Sequence, residues 1–259
     1  MNTQSRAISE LIGQRYFFAP LDNPLKILDI GCGSGIVTLE LGRLFPAASI
    51  IGIDQAPIVG SRSKKSPNVQ FIQGVFHDLV AHGTLKPQDF DFVFSRMLVM
   101  SVVDWQLYVS TASSLLKPGG WLELQELSWR LRDREEEAID TRYDYLIAIQ
   151  ETCVEKGLDP FAGEHLTQYM EQARLVGVEY RKFPWLWSDW DEWPQGYLLA
   201  MHQRSEAHIA VQQSMLDVLL AEKYDSNQLS RFKKELRQSA GEAEMGVHYT
   251  YGVSFGQKV

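Results

Sequence analysis

The feature that most constrains the fold is a short apolar segment followed by a glycine-rich turn near the N-terminus. Residues 27–37 read ILDIGCGSGIV, a pattern that predicts a buried strand, a turn and then the start of a helix. Three glycines at alternate positions, Gly31, Gly33 and Gly35, allow a sharp turn and leave no Cβ atom to hold a ligand away from the backbone. The segment therefore predicts a ligand site directly after the first strand.

An acidic residue after the second apolar run narrows the choice of ligand. Asp54 lies 19 residues after Gly35, where a carboxylate can accept hydrogen bonds from a ribose diol. The dinucleotide fingerprint requires a small residue at position 36 for close packing at the pyrophosphate, and this chain has Ile36. S-adenosylmethionine (SAM) has no phosphate, so the pattern favours SAM over a dinucleotide or a purely structural turn.

The first half of the chain alternates between strand and helix patterns. Further strands are predicted at residues 49–54, 68–72, 90–95 and 121–126, and helices at residues 34–45 and after the N-cap Asp104. Such alternation predicts a parallel, doubly wound sheet. Because ligands bind outside the C-terminal strand ends, residues 31–35, 54, 74–76 and 95–97 are expected on one rim.

The second half of the chain reads mainly as helices. These are predicted at residues 132–156, 166–176, 195–222 and 226–239, with strands at 178–183 and 248–255, a tryptophan-rich loop at 184–194 and an N-terminal helix at 5–16. Residues 61–67 read as a polar, basic loop. The aromatic cluster of Tyr16, Phe17 and Phe18 fits either a packing role under the first helix of the sheet or a cover over the cofactor.

The composition of the chain disfavours two classes of binding partner, nucleic acids and membranes. The chain has 259 residues, a net charge of −8 and a pI near 5.3, and its basic clusters, such as Lys64-Lys65, are short. This disfavours a nucleic-acid partner. No signal peptide and no apolar run of about 20 residues is visible, so no membrane partner is expected. The two cysteines, Cys32 and Cys153, suggest neither disulfides nor a metal site, and a cytoplasmic location is expected.

Taken with the glycine turn, Asp54 and the fourth strand, residues 116–120 (LKPGG) make the chain resemble the class I SAM-dependent methyltransferases. Residues 94–98 (FSRML), Asp104-Trp105 and residues 119–126 (GGWLELQE) are similar to the fungal LaeA-like methyltransferases of secondary metabolism. Residues 173–180, 183–184, the tryptophan-rich loop and residues 251–258 match the same group more weakly.

The resemblance implies a Rossmann-like α/β fold with seven strands, the last one inserted antiparallel, and helical cap insertions. It implies a single methyltransferase domain over residues 1–259. The SAM-binding core would comprise residues 25–127, 178–183 and 248–255, and the cap elements residues 132–176 and 195–240.

The resemblance also implies SAM as cofactor and S-adenosylhomocysteine (SAH) as product. The turn glycines would contact the methionine part, Asp54 the ribose and Gln55 the adenosine. Val75 stands where the family commonly has an Asp, so adenine recognition is expected from Val75 and Phe76, or from Asp78 after a small shift. The full expected set is Gly31, Cys32, Gly33, Gly35, Asp54, Gln55, Val75, Phe76, Ser95 and Arg96.

The sequence says less about the residues that surround the methyl acceptor. Tyr16, Met97 and Met100 are predicted to line its site. Methionine packs adaptably against irregular apolar ligands, and core packing is the alternative for Met97 and Met100. Methyl transfer from an activated donor needs mainly positioning, whereas a phenol or alcohol needs a base. His77 is the candidate nearest the rim, with a surface position as the alternative, and Glu126 is either an acid–base group or a structural one. We assign no catalytic base and no metal ligand.

The predicted function is transfer of a methyl group from SAM to O, N or S of a small, fairly apolar natural product by in-line displacement. Two alternatives stay open. One is a LaeA-like regulatory or interaction protein, and the other is a SAM-binding cyclase or isomerase that transfers no methyl group. The sequence predicts neither the acceptor nor the oligomeric state.

Overall fold

A computed structural model describes residues 3–58 and 66–259, and these residues form a seven-stranded sheet flanked by helices. The strand order is β3-β2-β1-β4-β5-β7-β6. Strands β1 to β5 pair in parallel, whereas β7 is antiparallel to both neighbours. The predicted α/β class, with seven strands and an antiparallel insertion, is confirmed. The strands are β1 Lys26–Ile30, β2 Ser49–Asp54, β3 Val69–Gln73, β4 Phe90–Arg96, β5 Leu116–Arg132, β6 Leu175–Leu186 and β7 His248–Lys258.

The helices cover both faces of the sheet and one end of the molecule. They are α1 Thr3–Leu11, α2 Ile36–Leu44, α3 Phe76–Ala81, α4 Trp105–Leu115, α5 Asp144–Glu155, α6 Ala162–Gln172, α7 Tyr197–Gln203, α8 Glu206–Leu220 and α9 Ser226–Glu242. Among the residues that the model describes, none of these helices has the length and apolar character needed to cross a bilayer.

The central strands are apolar because both of their faces are covered. Ile27 and Phe92 point into one hydrophobic cluster with α2, while Leu28 and Val93 point into the larger cluster on the opposite face. Successive side chains of a strand alternate between faces, so a strand covered on both sides shows a continuous apolar run.

Local signals in the sequence place helices α2 and α4. Gly35, with a φ of 74°, begins α2 in a left-handed conformation that favours glycine. The Asp104 carboxylate accepts a 2.8 Å hydrogen bond from the Leu107 amide and caps α4, as predicted. Both helix N-termini lie at the C-terminal ends of the strands that precede them.

The predicted helix over residues 132–156 is wrong in its first half. Strand β5 continues to Arg132, which bridges Ala138, and α5 begins only at Asp144. The Asp133 carboxylate accepts hydrogen bonds from the amides of Glu135 and Glu137. Such local bonds from Asp to the backbone compete with helix formation, and here they close a tight turn.

Other predicted boundaries also need correction. The helix predicted over residues 195–222 is two helices, because the Ser205 hydroxyl caps α8 and interrupts the run. The N-terminal helix ends at Leu11 instead of residue 16, and helix α3 was not predicted. The basic loop predicted over residues 61–67, with Lys64-Lys65, lies mainly outside the described residues.

The aromatic segments pack mainly as core. Phe17 contacts the rings of Phe45 and Phe92, and Phe18 stacks on Phe183, so the cluster at residues 16–18 has the packing role. Trp185 and Trp187 are buried. The predicted tryptophan-rich loop is partly strand, because β6 extends to Leu186.

Helix α6 lies unusually close to the sheet, and a glycine makes this approach possible. A Cβ atom added to Gly163 would lie 2.5 Å from the carbonyl oxygen of Glu126 and 2.7 Å from the amide nitrogen of Ser128. The first turn of α6 therefore rests on the backbone of β5, and only a residue without a side chain fits there.

We expect Gly163→Ala to destabilise the fold by about 1–3 kcal/mol, because the added methyl group overpacks a rigid contact. Gly241→Ala is the matched control. Gly241 lies in α9 with open space around it, so alanine should be neutral or stabilising by up to about 1 kcal/mol. Chemical denaturation of both variants measures the difference, and equal stability would contradict the close packing of α6.

Candidate cofactor and acceptor site

The glycine turn adopts a backbone conformation that disfavours other residues. Gly31, Gly33 and Gly35 have φ values of 69°, 54° and 74°, all in the left-handed region open to glycine. The side chain of Leu98 lies over Gly31, and that of Phe71 lies over Gly35. Gly33 has no atom within 4 Å of where a Cβ would lie, so its backbone is open to a ligand.

The Asp54 carboxylate connects the ends of the first two strands. Its Oδ2 atom accepts a 2.7 Å hydrogen bond from the Gly33 amide, and Oδ1 accepts a 2.8 Å bond from the Ala56 amide. The carbonyl oxygen of Asp54 accepts from the Gly74 amide at the end of β3. Three loops at the C-terminal strand ends are thereby held to one residue.

Two adjoining cavities lie along this rim. The larger cavity, of about 410 Å³, is within the roughly 300–1,000 Å³ typical of small-molecule sites. It runs from Gly31 and Asp54, past the segment after β3, to the segment between β4 and α4. Its lining includes Gln55, Gly74, Val75, Phe76, Val103, Leu107 and Tyr108.

The smaller cavity, of about 290 Å³, lies on the other side of Gly31 and Asp54. The glycine turn forms its floor, and Gln4, Ser5 and Ile8 of helix α1 form part of its wall. The lining also includes Asp29, Cys32, Arg96 and Met97. Gly31, Asp54 and Leu98 belong to both cavities.

Opposite charges meet in the smaller cavity. The Arg96 guanidinium donates to the Ser5 hydroxyl at 3.1 Å, and its buried Nη1 atom has no hydrogen-bond partner among the described residues. Asp29 is buried, and its carboxylate accepts a 2.6 Å bond from the Thr38 hydroxyl. Burial raises the pKa of Asp29 to about 6, against the lowering effect of Thr38 and Arg96. The cavity thus offers both a cation and a carboxyl group.

Two further carboxyl groups are buried in strand β5. The Glu123 side chain accepts from the amides of Phe18 and Ala19, both at 2.7 Å. The Glu126 side chain accepts from the amides of Leu98 at 2.8 Å and Val99 at 2.9 Å. Burial raises their pKa values to about 7 and about 8, although these bonds favour the ionised forms. Of the two roles considered for Glu126, the contacts support the structural one.

The structure brings most of the predicted cofactor residues to the cavities. Gly31 and Asp54 line both cavities. Six more cofactor candidates each line one of the two: Cys32, Gly33, Gln55, Val75, Phe76 and Arg96. The acceptor candidate Met97 lines the smaller cavity. Ser95 is fully buried, and neither Ser95 nor Gly35 lines either cavity. Asp78 lies in the first turn of α3, outside both linings.

Two acceptor candidates lie elsewhere. Tyr16 packs against the cluster beneath α2, and Met100 lies 3.9 Å from the Cys153 sulfur; neither lines the two cavities. His77 is exposed and lines the larger cavity beside the Phe76 ring. It therefore lies on the side of Val75, away from Met97 and the glycine floor.

Helix α1 and Leu98 line the cavities, and no sequence pattern assigned them to the site. The apolar spacing of Ile8 and Leu11 signalled a helix but not the surface that it covers. Leu98 was part of a matched motif without an assigned role. No cluster of three or more metal-ligating side chains occurs within residues 3–58 and 66–259.

The buried carboxyl groups make stability depend on pH. Glu123 and Glu126 have ordinary pKa values of 4.5 and folded-state values of about 7 and about 8. Between these limits the folded state holds protons that the unfolded state has released, so the free energy of unfolding falls as pH rises. We expect chemical denaturation to show this fall from about pH 5 to pH 8, with a shallower fall in Glu126→Gln. Glu137→Gln, at an exposed position, should match the wild type, and equal slopes in all three proteins would contradict the assignment.

Comparison with known proteins identifies the family. The family model described as a methyltransferase domain matches residues 3–180, more than half of the chain. The methyltransferase pytC of Aspergillus terreus is 39% identical over 120 residues, which are 46% of this chain and 35% of pytC. The methyltransferase str2 of Strobilurus tenacellus is 25% identical over 175 residues, which are 67% of this chain and 62% of str2.

The secondary metabolism regulator laeA of Aspergillus flavus is also similar, at 30% identity over 133 residues, which are 50% of this chain and 35% of that protein. The matched segments thus span less than two thirds of each of these three relatives.

Solved structures share the fold at low sequence identity. The phosphoethanolamine N-methyltransferase 2 of Haemonchus contortus, solved with S-adenosyl-L-methionine, superposes with a TM-score of 0.54 at 15% identity, covering 100% of this chain and 57% of that one. The [4+2]-cyclase SpnF superposes with a TM-score of 0.54 at 18% identity, covering 98% and 81%. The chain belongs to the methyltransferase domain family, within the class I SAM-dependent methyltransferases, whose cofactor is SAM.

Proposed function

We propose that this protein binds SAM across the two cavities and transfers its methyl group to O, N or S of a small, fairly apolar acceptor. The observation that carries the proposal is the difference in chemistry between the two cavities, which adjoin along the C-terminal edge of the sheet. The smaller cavity has a bare backbone floor and paired charges, whereas the larger one opens between exposed apolar side chains. Val75, Val103 and Leu107 are 47%, 62% and 54% exposed there.

The residues present fit the cofactor. An α-amino acid end carries one carboxylate and one ammonium, and the buried Nη1 of Arg96 and the Asp29 carboxyl group match these two charges. The open backbone at Gly33 allows close approach of the chain that joins them to the sulfur. Asp54 retains acceptor capacity for ribose hydroxyls, because a carboxylate has about four acceptor sites.

Adenine recognition rests on Val75 and Phe76 in this proposal. Val75 replaces the carboxylate common in the family, and Asp78 lies outside the cavity. The apolar side chain and ring provide contact area, and the exposed backbone groups after β3 provide hydrogen bonds. We further propose that residues 1–259 act as one methyltransferase domain, with helices α5 to α9 as the cap.

Positioning would supply most of the catalysis. The bound cofactor supplies an activated sulfonium methyl group, so the protein's task is to hold an acceptor in line with it. Well-oriented reactants can lower a barrier by about 7–11 kcal/mol. The chain's own contribution is the backbone floor of the glycine turn, the apolar side chains of the larger cavity and the wall that α1 provides. An amine or thiolate acceptor needs no base, and His77 stays a prediction for an acceptor that does.

The relatives support this proposal and define its alternatives. Two of them, pytC and str2, are named methyltransferases, which supports methyl transfer. The relative laeA is named a regulator, and the structural neighbour SpnF is a cyclase. A regulatory role or a SAM-dependent cyclisation would use the same fold without methyl transfer.

Methyl transfer can be tested directly. Purified protein is incubated with SAM carrying an isotopically labelled methyl group and with a metabolite extract from the source organism. We expect mass spectrometry to show a labelled small molecule, with SAH formed in equal amount, because each transfer releases one SAH. Binding of SAM without any transfer of label would instead support the regulatory or cyclase alternative.

Asp54→Ala tests the cofactor assignment. We expect SAM affinity, measured by calorimetry, to fall by about 1–3 kcal/mol, roughly 5- to 150-fold, because hydrogen bonds to a charged group are lost. Asp78→Ala removes a nearby carboxylate outside the cavity and should leave the affinity unchanged. A loss confined to Asp78→Ala would transfer the role to that residue.

A further inference from the structure

Strand β6 forms one edge of the sheet, and its outer side is uncovered. In the part of the chain that the structure describes, β6 pairs only with β7. Residues 176–177 and 179–182 are exposed, whereas the strand is buried from Pro184 onward. The outer side of residues 176–183, here named the open edge, therefore presents unpaired N–H and C=O groups to which another strand can add.

One hydrogen bond shows which backbone groups face the open edge. The Trp187 amide donates to the carbonyl oxygen of Val247 at 2.9 Å, so Trp187 faces β7. Successive residues of an antiparallel ladder alternate between facing the partner strand and facing away. The pairing of β6 with β7 has no register shift over Glu179–Leu186. Tyr180 and Lys182 lie an odd number of residues before Trp187, so their amide and carbonyl groups face outward.

The basic side chains of this segment do not guard the open edge. Lys and Arg on an edge strand often prevent pairing with another chain. Here the Arg181 guanidinium lies over the ring of Phe18, 4.5 Å from its centroid, and Lys182 forms an ion pair with Glu136. Both contacts hold the charged groups over the faces of the sheet, so the backbone at the edge stays accessible.

The order of charges makes β6 complementary to itself in one antiparallel register. Glu179 and Arg181 lie on the same face, with their charged groups 3.5 Å apart. Two copies related by a twofold axis at Tyr180 place Glu179 of each copy opposite Arg181 of the other. An axis at Glu179, Arg181 or Lys182 would instead place like charges opposite each other, which is unfavourable.

The backbone favours the same register. With the axis at Tyr180, the outward amide and carbonyl groups of the two Tyr180 residues exchange two hydrogen bonds. Glu179 and Arg181 then form the adjacent pair without backbone hydrogen bonds, in which opposing side chains approach most closely. The charge pattern and the direction of the backbone groups thus select one pairing.

We propose that the open edge of β6 binds a second copy of this chain, which adds its own β6 antiparallel across a twofold axis at Tyr180. None of residues 176–183 lines either cavity, so the dimer leaves both sites free and the proposal goes beyond the proposed function. The ladder is short and its ion pairs are exposed. We therefore expect a reversible dimer with a dissociation constant on the order of 10–100 μM.

Charge reversal tests the register. Sedimentation equilibrium over a range of protein concentrations would measure the dissociation constants of the wild type, Glu179→Arg, Arg181→Glu and the double variant. We expect each single reversal to weaken the dimer at least about tenfold, because two ion pairs become two repulsive pairs. The double variant restores both pairs and should return to within about threefold of the wild type. Lys86→Glu, at an exposed position before β4, has the same charge change as Arg181→Glu and should leave the dimer unchanged.

Tyr180→Pro tests the backbone bonds in the same assay. Proline removes an amide that faces outward and leaves the ladder to β7 intact, so the dimer should weaken at least about tenfold. Tyr180→Phe is the matched control. It removes only the hydroxyl group that donates to the Gly163 carbonyl oxygen at 2.9 Å, and it should keep the dimer. If Tyr180→Pro does not fold, the charge variants still decide the inference.

Three outcomes would overturn the proposal. They are a wild-type protein that stays monomeric at about 200 μM, a dimer that neither single reversal weakens, and a dimer that the double variant does not restore. Calorimetry with SAH keeps the two proposals apart. We expect equal SAH affinity in the wild type and all charge variants, so loss of the dimer leaves the proposed cofactor site standing.

Discussion

The hydrogen bonds of Asp54 are the contacts on which the site depends. A parallel sheet brings the loops after β1, β2 and β3 to one edge, but the sheet alone does not hold them in register with one another. The Asp54 carboxylate joins the glycine turn to the loop after β2, and its carbonyl group joins both to the end of β3. One residue thus serves as a scaffold for backbone groups and as a candidate ligand for a ribose. Its two roles are compatible because a carboxylate accepts more bonds than two amides use.

Strand β5 likewise holds two segments in place, through two buried carboxyl groups. Glu123 and Glu126 point from it to the segments at Phe18 and Leu98, and each accepts backbone amides that have no strand partner. The cost of burying these groups appears in their raised pKa values. In return, the two segments are held rigidly, because each carboxyl group replaces water as the hydrogen-bond partner of two neighbouring amides. Glu126 thereby ties the cavity-lining segment at Leu98 to the centre of the sheet, and Glu123 ties the core segment at Phe18 and Ala19 to it.

The cavities differ in chemistry because different elements line them. The floor of the smaller cavity comes from the glycine turn, and its charges come from β1 and the end of β4. The apolar mouth of the larger cavity comes from the segment after β3 and the segment between β4 and α4. The relatives of this chain include named methyltransferases and a regulator, and structures of the same fold include a cyclase.

The sequence by itself determined the strand-turn-helix unit, the doubly wound order and the place of Asp54 and most of the expected cofactor residues at one rim of the sheet, because these depend on local chemistry. Left-handed turns favour glycine, strands covered on both faces show apolar runs, and an Asp directly before a helical pattern, such as Asp104, is a preferred N-cap. Only the tertiary structure decided that residues 132–139 are not helical, since the Asp133 hydrogen bonds and a bridge to β5 outcompete the helical pattern there. It also decided that α1 covers the glycine floor, that Tyr16 and Met100 pack away from it, and that Leu98 stands between the cavities. These placements depend on contacts between residues far apart in the chain, such as Leu98 with Glu126 and Ser5 with Arg96, which no local pattern encodes.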